Sequence, residues 1–186
     1  MLAVFVYTAF SVAETMDLGA SLGRELARGD VVLLSGDLGA GKTQFVKGVA
    51  QGLGVACPVT SPTFNLMLEY ELPDGRLLRH FDLYRIDSSK QLDDIDYFGC
   101  LESGALCLVE WGDKFADAMP LDWLGIDVLI RSCDRPCDGT LPEGHDPADA
   151  VALDGQVRTF YAEAHGPRAD QLLRSWKTSF EVKHLL

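Results

Sequence analysis

The sequence predicts an α/β fold: a single domain with a mixed, mostly parallel central sheet, an antiparallel hairpin and flanking helices. Three observations lead there. The apolar run "VVLLS" (31–35) passes directly into the glycine-rich "GDLGAGKT" (36–43), which opens a helical pattern. Two strand-like segments flank the turn "PDG" (73–75). Two more apolar runs, "ALCLVEW" (105–111) and "WLGIDVLIR" (123–131), supply further strands. At 186 residues the chain suits one domain with a full core, spanning 1–186.

The elements follow in order. "MLAVFVYTAF" reads as a first strand. Ser11 and Glu14 form a capping box, and Leu18, Leu22 and Leu26 mark an amphipathic helix that Gly29-Asp30 ends. A helix over 42–54 begins inside the glycine motif and stops at Gly52 to Gly54. "CPVTSPTF" (57–64) is a loop, because Pro58 and Pro62 block helix and sheet. "FNLMLEYEL" and "RLLRHFDLYRI" make the hairpin, and 88–98 is helical. An exposed loop is expected over 132–149, where Asp, Pro and Gly dominate. "QVRTFYAEAHG" (156–166) is a strand, and a helix over 167–176 starts with Pro at its first turn.

Composition removes several function classes. The formal net charge is −12, whereas a protein that grips a nucleic-acid backbone unaided carries a basic face. No DNA binding is expected, and no direct tight grip on tRNA. The apolar start has no Lys or Arg and is too short for a bilayer, so neither a signal peptide nor a membrane anchor is expected. Five cysteines at scattered spacings suggest reduced thiols and a cytoplasmic protein. Cys133, Cys137 and His145 match no common zinc spacing and lack a fourth ligand.

Gly36 to Thr43 satisfies G-x-x-x-x-G-K-[ST] between a strand and a helix, which is the context this phosphate-binding P-loop requires. Main-chain amides across Asp37, Leu38, Gly39, Ala40 and Gly41 would converge on phosphate oxygens, with Lys42, Thr43 and Gln44 opening the helix. Lys42 supplies a point charge, and the Thr43 hydroxyl is a Mg²⁺ ligand. Guanine-specific proteins of this class use Asn-Lys-x-Asp, which is missing here, so ATP is the expected nucleotide. "DYFG" (96–99) mimics a GTPase switch but follows no apolar strand.

Acids must sit near the metal. Asp82, after "LLRHF", and Glu110, after "ALCLV", both end strands, where an open sheet gathers its ligands. Each is a candidate for catalysis and for the metal shell, alongside Lys42 and Thr43. Thr60, Ser61 and Thr63 lie where a hydroxyl can sense the γ-phosphate. The residues alone leave the choice among these open.

Taken together, "GDLGAGKT", "SPTF", "HFDLYR" and "LVEW" resemble the TsaE (YjeE) family of small bacterial P-loop ATPases. The resemblance runs from about Thr15 to Gly125 and again through "AHGPRADQLL". It implies a P-loop NTPase-like fold and a part in making threonylcarbamoyladenosine on tRNA. It also implies slow ATP hydrolysis that regulates or resets a TsaB–TsaD partner pair, with tRNA contacted only indirectly. By position, Lys42 and Thr43 become the phosphate and Mg²⁺ residues, and Thr63 the switch hydroxyl. Asp82 takes the Walker-B-like place, while Glu110 shapes the metal shell or positions water. Trp111 is a packing or partner-facing neighbour, and Tyr84 and Arg85 support the switch or the partner surface. The 132–149 segment is longer and richer in Cys and Pro than the resemblance implies.

Two other classes fit the P-loop. A small-molecule kinase needs an acceptor pocket and an arginine-bearing lid; the chain offers Arg131 and Arg135 in a loop but no recognisable lid. A nucleotide-gated binding module would need nucleotide for assembly but not its hydrolysis.

Overall fold

A computed structural model describes residues 4–132 and 156–184. Its sheet has seven strands: β1 (Val4–Ala9), β2 (Val31–Ser35), β3 (Met67–Glu71), β4 (Leu77–Asp82), β5 (Leu106–Glu110), β6 (Trp123–Ser132) and β7 (Gln156–His165). The strand order is β1-β7-β6-β2-β5-β4-β3. The four central strands β6, β2, β5 and β4 run parallel. Antiparallel pairs close both edges: the expected β3–β4 hairpin, and β7 against both β6 and β1.

Strand alternation assigns the two faces. Val32, Leu34, Leu106 and Leu108 belong to the larger core with α1 (Val12–Glu25), α2 (Lys42–Gly52) and α5 (Pro167–His184). Val31, Cys107 and Val109 face the smaller core, with α3 (Lys90–Asp94), α4 (Tyr97–Glu102) and the 3₁₀ segment Gly112–Ala118 packed nearby.

Local chemistry explains most boundaries. Ser11 caps α1, its Oγ accepting from Glu14 N at 3.1 Å, while the Glu14 carboxylate accepts from Phe10 N at 3.0 Å. α1 ends at Glu25, before the expected Gly29-Asp30. The hairpin strands are shorter than expected, since Leu66 adopts φ 64° just before β3. The helix expected over 88–98 is two short ones, broken where Asp96 takes φ 51°. "DYFG" thus opens α4, and Tyr97 packs edge-on against Phe81 in the smaller core. α5 runs past the expected 176 to His184, and Trp176 donates its indole N–H to Ser21 Oγ at 2.8 Å. The loop expected over 132–149 lies outside the described residues except for Ser132, which ends β6; Cys133, Cys137 and His145 also lie outside them.

The orientation of α2 depends on α1. Their backbones approach through four glycines. A Cβ on Gly19 would overlap the Phe45 carbonyl oxygen, and one on Gly23 that of Val49. From the other helix, a Cβ on Gly48 would strike the Met16 carbonyl oxygen, and one on Gly52 that of Ala20. Backbone atoms cannot rotate aside, so the helices must separate to admit a methyl. Gly48→Ala is expected to cost about 1–3 kcal/mol, read as a lower melting temperature. An unchanged melt would contradict this packing.

Candidate functional site: a glycine loop facing two buried carboxylates

The carboxyl ends of β2, β4 and β5 form one edge. Leu34, Glu110 and Asp82 are side-by-side partners across these strands. The loop 36–41 leaves β2 there and turns into α2. Gly39 and Gly41 take φ 82° and 102°, values that exclude most side chains, and a Cβ on either would meet nothing within 4 Å. Glycine is required here by backbone conformation, and the space beside the loop is open. Asp37, Leu38 and Gly39 are exposed, Ala40 is buried, and Gln44 is half-buried on the first turn of α2.

Lys42 is buried, and its ammonium donates to the carbonyls of Gly36 at 2.7 Å and Asp37 at 3.0 Å. It also lies 3.8 Å from the centroid of the Trp111 ring, a cation–π contact. Burial lowers the Lys42 pKa, although Glu110, Asp82, Asp113 and Asp37 all pull the other way. Trp111 is therefore a wall of the site as well as packing; its ring also meets Tyr84 at 5.1 Å.

Alternation places the carboxylates. Leu106 and Leu108 face α2, so Glu110 does too, and its side chain reaches the start of that helix. Thr43 Oγ1 donates to Glu110 Oε1 at 2.9 Å and approaches Oε2 at 3.2 Å. Asp82 follows Leu78 in the same way. Its Oδ2 accepts from Thr63 Oγ1 at 2.5 Å and from Ser61 Oγ at 3.3 Å, while Oδ1 accepts from Tyr84 N at 3.0 Å. The structure thus gathers Lys42, Thr43, Glu110, Asp82, Ser61 and Thr63. Thr60 stays apart, its N–H donating to the Tyr70 hydroxyl at 3.4 Å.

His80, within "HFDLYR", is a site residue that the sequence alone does not reveal. It is fully buried, and Nε2 lies 2.9 Å from Glu110 Oε1. The available signal was alternation: position 80 shares its face with Leu78, where an apolar residue is the norm.

The donor set suits Mg²⁺. A hydroxyl and a carboxylate converge, both hard oxygen donors. Asp82 and Glu110 are two buried acids beside one buried lysine, and a divalent cation would offset the excess negative charge.

A family model described as "Threonylcarbamoyl adenosine biosynthesis protein TsaE" matches residues 10–135, which include every site residue above. The chain belongs to the TsaE family. Members of the TsaE family take part in tRNA threonylcarbamoyladenosine biosynthesis. The protein of that name from Treponema pallidum (strain Nichols) is 44% identical over 111 residues, covering 59% of this chain and 80% of its own length. The Bacillus subtilis (strain 168) TsaE is 47% identical over 108 residues, covering 57% and 65% respectively. The crystal structure of Bacillus subtilis YdiB matches with a TM-score of 0.66 at 30% identity, covering 96% of this chain and 97% of that one. The likeness to YdiB extends through β7 and α5, beyond the family-model match. Among the described residues, no helix is long and apolar enough to cross a membrane.

Asp82 holds the loop that carries Ser61 and Thr63. Asp82→Ala is expected to speed amide hydrogen exchange across 61–66 and to cost about 1–3 kcal/mol. Unchanged exchange there would show that the loop is held by something else.

Proposed function

We propose that this chain binds ATP with Mg²⁺, hydrolyses it slowly, and through that cycle acts on the TsaB–TsaD pair during threonylcarbamoyladenosine formation on tRNA. One observation carries the reading: a lysine and a threonine opening α2 beneath an open glycine loop, the threonine already bonded to a buried strand-end glutamate. Family membership supplies the process.

In this reading the loop amides and the N-terminus of α2 bind the phosphates. Lys42, held by two loop carbonyls in the nucleotide-free protein, turns its charge to the β- and γ-phosphates. Thr43 and Glu110 would hold the magnesium, with Asp82 beside them; the ion would neutralise charge developing on the phosphates. Glu110 or Asp82 orients the attacking water. Thr63, bonded to Asp82, links occupancy at the γ-phosphate to the loop 60–64.

That linkage suits a protein that signals to partners. Leu38, Phe64 and Tyr84 are exposed apolar side chains on the three segments that bond to the site, and Arg85 stacks over the Phe64 ring at 4.4 Å. Rearrangement at the phosphates would move this rim. With net charge −12, docking onto a basic partner surface follows, and tRNA contact falls to the partners. For the kinase reading, Arg131 is engaged by the Tyr161 hydroxyl at 2.9 Å, and Arg135 lies outside the described residues.

Lys42→Ala is expected to weaken ATP binding in calorimetry by on the order of 10- to 100-fold, the equivalent of one charged hydrogen-bond contact. Glu110→Ala should bind ATP but lose turnover. In TsaE-depleted bacteria the wild-type chain should restore the tRNA modification, measured by mass spectrometry, and Lys42→Ala should not. Restoration by Lys42→Ala would overturn the proposal. Modification restored by Glu110→Ala without turnover would favour the gated module.

The pH dependence has a definite sign. Burial lowers the free-protein Lys42 pKa, and bound phosphate favours its charged form, so binding takes up protons on the alkaline side. ATP affinity is expected to fall as pH rises through that lowered value, and to be flat below it until the nucleotide's own terminal phosphate begins to take up a proton. Affinity that stays constant into the ordinary lysine range would contradict the assignment of Lys42.

A further inference from the structure

His80 sits on β4 opposite Leu108 of β5 and is fully buried. A leucine would serve packing at this position, as Leu78 does two residues earlier. An imidazole brings two polar nitrogens into a dry interior, which is costly unless both find partners. Only one does. Nε2 lies 2.9 Å from Glu110 Oε1, whereas the buried Nδ1 has no hydrogen-bond partner among the described residues. The ring is thus kept for one contact. The same carboxylate oxygen accepts from Thr43, and a contact of this length needs a donor, which assigns the proton to Nε2.

The contact makes Glu110 asymmetric. Oε1 takes two donors at 2.9 Å, His80 and Thr43, while among the described residues Oε2 has the Thr43 approach alone, at 3.2 Å. We propose that His80 is a positioning residue, which clamps Oε1 from within the sheet and leaves Oε2 available to the magnesium shell. This rests on the nucleotide-and-magnesium reading above. His80 touches neither nucleotide nor metal and acts through Glu110. A partner hydrogen-bonded behind a metal-ligating group changes metal affinity by about 10–100-fold.

The test compares wild type, His80→Leu and His80→Gln, the glutamine keeping an N–H donor near the place of Nε2. In the free protein, long-range ¹H–¹⁵N correlation spectra are expected to show His80 protonated on Nε2, with its signals shifted by Glu110→Ala. His80→Leu leaves Glu110 with one donor fewer and is expected to melt below the wild-type temperature, yet to bind ADP normally without magnesium. Its ADP complex should bind Mg²⁺ about tenfold more weakly, and kcat should fall by a similar factor with little change in the KM for ATP. His80→Gln should recover part of both. Three results would overturn the proposal: protonation on Nδ1, wild-type magnesium affinity and kcat in His80→Leu, or equal losses in both variants that follow their melting temperatures. Should the wild type bind no adenine nucleotide, the function reading fails, while the imidazole spectra still decide whether His80 clamps Glu110.

Discussion

Glu110 is a buried carboxylate on which three elements converge. From β5 it meets Thr43 at the start of α2 and His80 on β4. Its own carbonyl accepts from Leu83 N at 3.0 Å, and the next residue, Trp111, donates its N–H to Leu34 O at 3.0 Å. The ends of β4, β5 and β2 are thereby stitched together at two adjacent residues, Glu110 and Trp111. An isolated charge in such a place would be costly, so this acid must be matched by donors or by a cation. Thr43 and His80 supply the donors and Lys42 a positive charge nearby, while Asp82 beside it takes its donors from Thr63, Ser61 and the Tyr84 amide.

The helix that brings Thr43 to Glu110 is placed by absence of side chains. Gly19 and Gly23 on α1, and Gly48 and Gly52 on α2, let two backbones touch. The contact fixes where the first turn of α2 points, and therefore where its unpaired N–H groups point. Strand alternation does the complementary work. Because Leu78, Leu106 and Leu108 face the helices, His80, Asp82 and Glu110 must do so as well, and the chemistry lands on the side of the sheet that α2 covers. Fold and site share one periodicity.

Much of this was legible in the residues. The strand–loop–helix around "GDLGAGKT", the "PDG" hairpin and the strand-end acids depend on local chemistry, which sequence records directly. Partners distant in the chain were harder to see. The Lys42–Trp111 contact spans elements that only the sheet order brings together, and the role of His80 needed the register of β4 against β5. The break at Asp96 was missed because a left-handed residue inside a helical pattern has no strong signal when it is not glycine. The extension of α5 to His184 was missed because its later turns are largely exposed among the described residues; Phe180, packed edge-on against Phe5 and Tyr7, and Ser179, bonded to Glu25, tie them down.

A crystal structure with Mn²⁺ and a non-hydrolysable ATP analogue would test the central claim most directly. An anomalous peak against the Thr43 hydroxyl, with the Glu110 carboxylate in its coordination or water shell, is the predicted result. A metal bound elsewhere, or a nucleotide that leaves the Thr43–Glu110 contact untouched and metal-free, would contradict it.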